Sequence, residues 1–392
     1  SKETIARYDF FDGSQDQGPK FRDYKGKKMH DSAWLTQRTS DFLDSVPKGK
    51  PFCLQVNYKA PHASSVPAPE DDHLLDDYTF KRHPLDNEKA AKLIHPFVRG
   101  SFLDVCYRKA FNKDGDHNPF CRQYYEKIAS VERSVGNIRE MLKKRGLADN
   151  TVIIFLSDHG DHFGEKHLYG KWSPYEQSLR VPFIVYDPRP KAQKGVVRNE
   201  MVLNIDVAPT LLELAGVKIP KVMDGKSLVP LVANASHLTP HVWRTEFYFE
   251  HYHSTCKGKY IARNEGIRTA DSKYFRWDDP PKPIEEAYDL TKDPMETRNL
   301  LSDPGQQERV DQLRAEFDEW RNAHPAGYTP DPYSRWATFN APKIDWTRFK
   351  KAKPEEYRKI EKEVKRLGVT WEQAINDWET RTKIWKATGY YY

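Results

Sequence analysis

Between Thr151 and Pro182 the chain reads T-V-I-I-F-L-S-D-H-G-D-H-F-G-E-K-H-L-Y-G-K-W-S-P-Y-E-Q-S-L-R-V-P, and this run limits the fold more than any other. Five apolar residues, Val152 to Leu156, break off at Ser157-Asp158-His159-Gly160, and a second apolar run opens at Val181. An unbroken apolar run of that length suits a strand covered on both faces, as in a parallel sheet. In such sheets ligands gather beyond the carboxyl ends of the strands. An acid and an imidazole placed there look like metal ligands, and Lys171 downstream looks like an anion contact.

The elements around this run support an α/β fold. Ile128, Val131, Val135, Ile138 and Leu142 keep helical spacing, Lys143, Lys144 and Arg145 complement the C-terminal dipole, and Gly146 is the expected stop. This helix feeds straight into the strand at Val152, and a further strand is expected at Val181–Tyr186. Upstream, Phe52–Tyr58 alternates apolar and polar residues like a strand and ends at Lys59-Ala60-Pro61-His62. Asp206–Leu214 reads as a short helix with Pro209 in its first turn and Gly216 as its stop. Beyond Val232 the texture changes to short strand-like runs at 246–250, 260–261 and 273–277, which predicts a small antiparallel sheet. Val310, Leu313, Phe317 and Trp320 return to helical spacing, and Trp371, Ile375, Trp378 and Trp385 form an apolar stripe near the C-terminus.

At 392 residues the chain can bury a large core, and no apolar run reaches the ~18 residues of a membrane span. The 63 Lys+Arg against 57 Asp+Glu give only +6, a solvated surface with a mild bias towards anions. Acids interleave the basic residues of the aromatic tail, so no nucleic-acid partner is expected. None of Cys53, Cys106, Cys121 and Cys256 has metal-site spacing. Cys106 and Cys121 flank a polar loop, where either a disulfide or two thiols would fit. Asn234-Ala235-Ser236 is a glycosylation sequon, a triplet that also arises by chance.

Asp158 and His159 are the leading metal-ligand candidates, because adjacent side chains can reach one ion where Gly160 lets the backbone turn sharply. The competing reading makes Asp158 a turn cap and His159 an ordinary loop histidine. Lys171 suits a sulfate or phosphate oxygen as a compact point charge. His62, also at a strand end, suits proton transfer near neutral pH. Either residue alone would pass for a surface or structural side chain. It is their shared place beyond the strands of one sheet that groups them.

The segments Leu147–Val152, Ser157–Gly160, Gly164-Glu165, Gly170–Trp172 and Tyr175–Pro182 resemble the sulfatases of the alkaline-phosphatase superfamily. So do Lys59–His62, Asn204–Thr210, Met223–Leu228 and Tyr288–Pro294, in the family's order over about residues 25–320. Trp243–Glu246, Glu250-His251 and Glu265–Thr269 resemble bacterial enzymes acting on sulfated sugars. The resemblance implies a mainly parallel central sheet flanked by helices, with a smaller C-terminal antiparallel subdomain. The expected divisions are a catalytic α/β domain over 1–232, a sheet-and-helix subdomain over 233–325, and a Pro/Tyr-rich, helical extension over 326–392.

The activity implied is metal-assisted hydrolysis of a sulfate ester on a sulfated carbohydrate. Asp158 and His159 would hold a divalent ion, Ca2+ by the family's habit, with Mn2+ or Zn2+ as alternatives because imidazole is a softer ligand than oxygen. Lys171 would contact the sulfate and His62 the leaving-group oxygen, while Lys166, His167, Glu250, His251 and Arg268 would contact substrate. The loop reads Gly164-Glu165-Lys166-His167 where G-E-H-G is commoner in the family. The formylglycine motif C/S-x-P/A-x-R surrounds none of the cysteines. The nucleophile is therefore expected from an N-terminal segment of the same enzyme that is not in this chain, and a secreted or periplasmic location follows from the family. The alternatives are a phosphodiesterase or phosphonate monoester hydrolase of the superfamily, or a non-catalytic chain of a complex.

Overall fold

The computed structural model describes residues 20–111, 116–233, 243–251, 255–256, 259–278, 283–324, 350 and 354–370. The sequon at Asn234 and the Trp371–Trp385 stripe lie outside the described residues. The chain divides into two compact units, one formed by 1–82, 110–154 and 185–192, the other by 83–109, 155–184 and 193–392. Among the described residues, no helix is long and apolar enough to cross a membrane.

The first unit opens with a hairpin of β1 (Phe21–Tyr24) and β2 (Lys27–His30), paired from Phe21↔His30 to Tyr24↔Lys27. Lys25 and Gly26 both have positive φ, the two-residue turn that follows the right-handed strand twist. The helix Asp31–Ser45 follows, its first turn capped where His30 Nδ1 accepts from Ser32 N. It packs on the helix Asn118–Lys144 through a hydroxyl seam: Thr36 Oγ1 lies 2.5 Å from Ser134 Oγ, which lies 2.8 Å from the Tyr58 hydroxyl. The long helix ends as its sequence requires. Gly146 takes φ +67°, and bonds from Leu147 N to Leu142 O and from Gly146 N to Lys143 O close the last turn.

Three segments read as strands of the α/β pattern follow the sequence less evenly. β3 (Ile153–Leu156) and β6 (Phe183–Tyr186) form as expected and are hydrogen-bonded neighbours. All four residues of β3 are only half-buried, and β6 alternates half-buried with exposed. Phe52–Tyr58 shows the expected alternation of burial but pairs in no ladder among the described residues. Alternation sets which face a side chain takes; only a neighbouring backbone makes the segment a strand. Between β3 and β6 lies the two-stranded ladder of β4 (His162–Phe163) and β5 (Tyr169–Gly170). Cys106 and Cys121 carry thiols rather than a shared disulfide.

The second unit contains the antiparallel sheet anticipated from the short runs. β7 (Glu246–His251), β8 (Thr255–Cys256), β9 (Lys259–Tyr260), β10 (Asn264–Thr269), β11 (Ser272–Trp277) and β12 (Ile284–Asp289) follow in order, and the sheet runs β12-β11-β10-β7. On one face Ile267, Tyr274 and Ala287 meet Val310, Leu313 and Phe317 of the helix Gln307–Ala323. On the other, Phe275, Trp277 and Tyr288 meet Leu103, Leu168 and Tyr175, together with Ile360 and Val364 of the helix Pro354–Leu367. Successive residues of β11 thus enter different cores, as period-two geometry demands. Here it is the antiparallel sheet that is buried on both faces.

Several sequence landmarks turn out to be structural knots. Asp206 is fully buried and accepts from Leu203 N at 2.7 Å and from Lys226 N at 2.8 Å. Its Oδ1 also receives Arg244 Nη2 at 2.6 Å. A Cβ on Gly225 would stand 2.0 Å from the Ile205 carbonyl, so the Met223–Leu228 landmark needs glycine where it crosses Asn204–Thr210.

Candidate active site

The backbone after β3 is held from several sides. Ser157 Oγ donates to the His159 carbonyl at 2.7 Å, and the Asn204 amide donates to the carbonyls of Ser157 and Asp158 at 3.3 and 2.9 Å. Gly160 N donates to Ser178 O at 2.8 Å. A Cβ on Gly160 would meet the Gln177 and Arg180 carbonyls at 2.2 and 2.4 Å. Glycine is therefore required by close backbone approach, a reason the sequence did not disclose.

This anchoring presents Asp158 and His159 outward. Their side chains are 83% and 34% exposed, and His159 Nε2 lies 3.4 Å from Asp158 Oδ2. Asp158 caps no turn: its nearest hydrogen-bond donor is Ser157 Oγ at 3.5 Å. His159 Nδ1 lies 2.7 Å from the Gly160 carbonyl, which can only accept, so Nδ1 carries the proton and Nε2 the lone pair. An imidazole oriented through its second nitrogen is the usual form of a metal-ligating histidine. Burial lowers the His159 pKa, and Lys171 nearby adds to this, against the opposing effects of Gly160 and Asp158. The neutral ring and the adjacent carboxylate fit a divalent cation as two of its donors. Among the described residues, no group of three or more His, Cys, Asp or Glu side chains could hold a metal, so the pair is an incomplete donor set.

Lys171 lies close enough to shift both His159 and Asp161. Its ammonium stands 5.3 Å from the Trp172 ring centroid. Asp161 is a member of this corner that sequence reasoning missed. Burial pushes its carboxyl up to about 7, Glu165 and Asp158 push the same way, and Lys171 opposes them. The signal available was an acid one residue beyond the Ser-Asp-His-Gly break.

His62 belongs to the first unit and is exposed, next to a cis Ala60–Pro61 peptide. Its Nδ1 accepts from Ser64 N at 3.3 Å and lies 2.8 Å from Ser64 Oγ. A backbone N–H can only donate, so the neutral ring keeps its proton on Nε2, the form that can hand a proton outward.

The remaining expected contacts fare unequally. Lys166 is corrected: it is 1% exposed, its ammonium donates to Glu296 O at 2.8 Å and lies 3.9 Å from the Tyr175 ring centroid. Its backbone has a positive φ of 57°, and its side chain is enclosed by the protein. His167 stacks on Tyr107 at 4.5 Å, with Nε2 3.8 Å from Asp86 Oδ1. Arg268 bonds the Thr269 carbonyl at 2.6 Å and Glu176 Oε2 at 3.3 Å, so its guanidinium serves the loop–sheet junction. Glu250 is exposed near the end of β7 and faces Glu265 across the ladder, while His251 faces Asn264.

Beneath the corner, the loop is locked to the antiparallel sheet by buried charges. Lys273 Nζ lies 2.7 Å from both Glu176 Oε1 and Glu296 Oε1, and donates to Pro174 O at 2.9 Å. Glu296 Oε2 accepts from Glu176 N at 2.8 Å. Burial would raise the Glu176 pKa, but Lys273 and Arg268 outweigh it and hold the carboxyl below its ordinary range. Glu286 takes hydrogen bonds from Tyr175, Tyr288 and Trp277 at 2.9, 2.5 and 2.8 Å, and burial still raises its pKa.

The comparisons with known proteins agree with this architecture. The pattern of the family described as "Sulfatase" matches residues 4–217, and that described as "N-sulphoglucosamine sulphohydrolase, C-terminal" matches 164–323. An arylsulfatase of Clostridium perfringens is 30% identical over 315 residues, which are 77% of this chain and 60% of that protein. An N-acetylglucosamine-6-O-sulfatase of Bacteroides thetaiotaomicron is 28% identical over 321 residues, 68% of this chain and 57% of that protein. A solved structure in complex with its substrate D-glucosamine-2-N,6-O-disulfate superposes with a TM-score of 0.63 at 24% identity, covering 76% of this chain and 71% of that one. The chain thus spans 57–60% of the length of these two curated relatives.

Proposed function

The chain belongs to the sulfatase family of the alkaline-phosphatase superfamily, and from that premise we propose that it forms the greater part of a sulfuric ester hydrolase acting on a sulfated saccharide. The observation that carries this reading is the corner after β3. A carboxylate, an imidazole lone pair and an ammonium lie together there at the surface, and the backbone beneath them is fixed. Asp158 and His159 would contribute two ligands to a divalent ion, Ca2+ by family habit, with Mn2+ or Zn2+ suited to the imidazole. When bound, such an ion supplies positive charge that stabilises negative charge on sulfate oxygens. Lys171 holds a sulfate oxygen through its point charge. His62 donates its Nε2 proton to the departing sugar oxygen. His167, Glu250 and His251 are the polar side chains proposed to meet sugar hydroxyls; Arg268 is assigned to holding Glu176.

The nucleophile is proposed to come from a segment of the same enzyme that carries the formylglycine motif. That segment would also supply strand partners, making β3, β6 and Phe52–Tyr58 part of a mainly parallel central sheet. A secreted or periplasmic location belongs to the same reading. The test is turnover of an aryl sulfate against the matching aryl phosphate by the enzyme containing this chain and that segment. Sulfate should be preferred, and Lys171→Ala should lower kcat/KM by about 100-fold or more, the scale of losing a charge-stabilising contact. A strong phosphate preference would move the assignment to a phosphodiesterase or phosphonate monoester hydrolase. No turnover by an enzyme shown to carry formylglycine would leave the non-catalytic reading.

A further inference from the structure

Lys171 stands between two residues in the left-handed backbone region, Gly170 at φ +106° and Trp172 at φ +77°. Glycine adopts that region freely, but for a bulky aromatic residue it is a strained outlier that persists only where surrounding structure enforces it. The enforcement at Trp172 can be traced. Its carbonyl accepts a hydrogen bond from Asn264 Nδ2 at 2.9 Å, and the same amide nitrogen donates to Ala262 O at 3.1 Å. Asn264 is 2% exposed and opens β10, held between His251 of β7 and Trp277 of β11. The indole packs against Phe102 at 5.5 Å, and its Cζ3 lies 3.7 Å from where a Cβ on Gly170 would be. The ring is therefore folded back over Gly170 with the Lys171 ammonium near it.

On the near side of Lys171 the β4–β5 ladder pairs Gly170 with His162, and the other side-chain tethers of this loop act further along. His162 Nε2 bonds Ser173 Oγ at 2.6 Å, Lys273 takes Pro174 O, and Glu296 takes Glu176 N. These fix residues 173–176, whereas Asn264 grips the residue next to Lys171. If Trp172 relaxed to negative φ, its carbonyl and ring would swing away and the backbone presenting Lys171 would turn with them. We propose that Asn264 is a positioning residue for Lys171: its side-chain amide locks Trp172 in the left-handed conformation and so aims the ammonium at the anion site. The proposal rests on the reading of Lys171 as the sulfate contact, but the conformational claim can be judged separately.

The experiment compares wild type, Lys171→Ala, Asn264→Ala and the double variant by calorimetric titration with inorganic sulfate, alongside crystal structures of wild type and Asn264→Ala. Asn264→Ala should weaken sulfate binding by about tenfold, the scale of one hydrogen bond and the strain it holds. The double variant should bind no more weakly than Lys171→Ala alone, and Trp172 should leave the left-handed region. If Lys171→Ala weakens binding while Asn264→Ala does not, or if the two losses add, the proposal is overturned. If Lys171→Ala changes nothing, or wild type binds no sulfate, the reading of Lys171 fails instead. The crystal structures then decide: an unmoved Trp172 and Lys171 overturn the clamp, and a relaxed Trp172 supports it. Should Asn264→Ala not fold, Asn264→Asp serves in its place. Its carboxylate repels the Trp172 carbonyl but can donate once protonated, so its sulfate affinity should recover towards wild type as pH falls. No such recovery would count against the clamp.

Discussion

The corner after β3 and the junction beneath the following loop are both built from ionisable side chains, yet burial gives them opposite characters. At the corner, Asp158 is 83% exposed, with His159 Nε2 at 3.4 Å and Ser157 Oγ at 3.5 Å from its carboxylate. At the junction, Lys273 and Glu296 are both fully buried and 2.7 Å apart, and the same ammonium lies 2.7 Å from Glu176. Ionised groups that water can reach are available to an ion or an ester. Buried groups must find their partners within the protein, because an unpaired buried charge is expensive. The junction supplies rigidity, and the corner uses it.

This contrast can be broken most decisively at the junction. Lys273→Met should strand Glu176 and Glu296 without their shared cation and cost about 3–5 kcal/mol in urea unfolding, as expected when one partner of a buried pair is removed. A loss below about 1 kcal/mol would mean the junction is not holding the loop. A smaller effect should appear with acid. Burial, with Lys166 and Lys273 close by, pushes the His162 imidazole down to about 3, so the folded protein refuses a proton that the unfolded chain accepts near pH 6.5. The stability His162 contributes is complete above pH 6.5 and is lost as pH falls towards 3. By pH 5 the loss should approach about 2 kcal/mol, and His162→Gln should flatten that part of the profile. Equal slopes in wild type and variant would show that His162 is not the source.

The smallest expected change in stability is at the corner itself. Asp158→Ala should alter the metal-free unfolding free energy by less than about 0.5 kcal/mol, as for an exposed side chain with few partners. It should nevertheless abolish any rise in melting temperature produced by Ca2+ or Mn2+, since a ligand stabilises only through the folded state it binds. Retained ion-dependent stabilisation in Asp158→Ala would put the metal elsewhere.

Much of this was legible from sequence where the signal is local. The helix ending at Gly146, the stop at Gly216, the strand ends before Asp158 and after Val181, and the helix carrying Val310, Leu313 and Phe317 each follow from periodicity and caps within a few residues. The Asp158-His159 pair could be singled out as a candidate because an acid and an imidazole directly after an apolar run are unusual. Lys166 misled for the opposite reason: a lysine beside a catalytic-looking motif reads as exposed, whereas its side chain is enclosed by the protein and bonds the Glu296 carbonyl.

By itself the sequence determined the family and marked helices and strands, and it nominated residues suited to metal and anion chemistry, because these depend on residue identity and short-range spacing. Tertiary structure decided which of those residues remain available. It turned Lys166 and Arg268 into scaffold, brought Asp161 into the corner, and set Asn264 against Trp172 from 92 positions away. It also showed that Gly160 and Gly225 are demanded by backbones that cross them rather than by a turn. Burial and close approach arise between segments distant in the chain, so no local pattern encodes them.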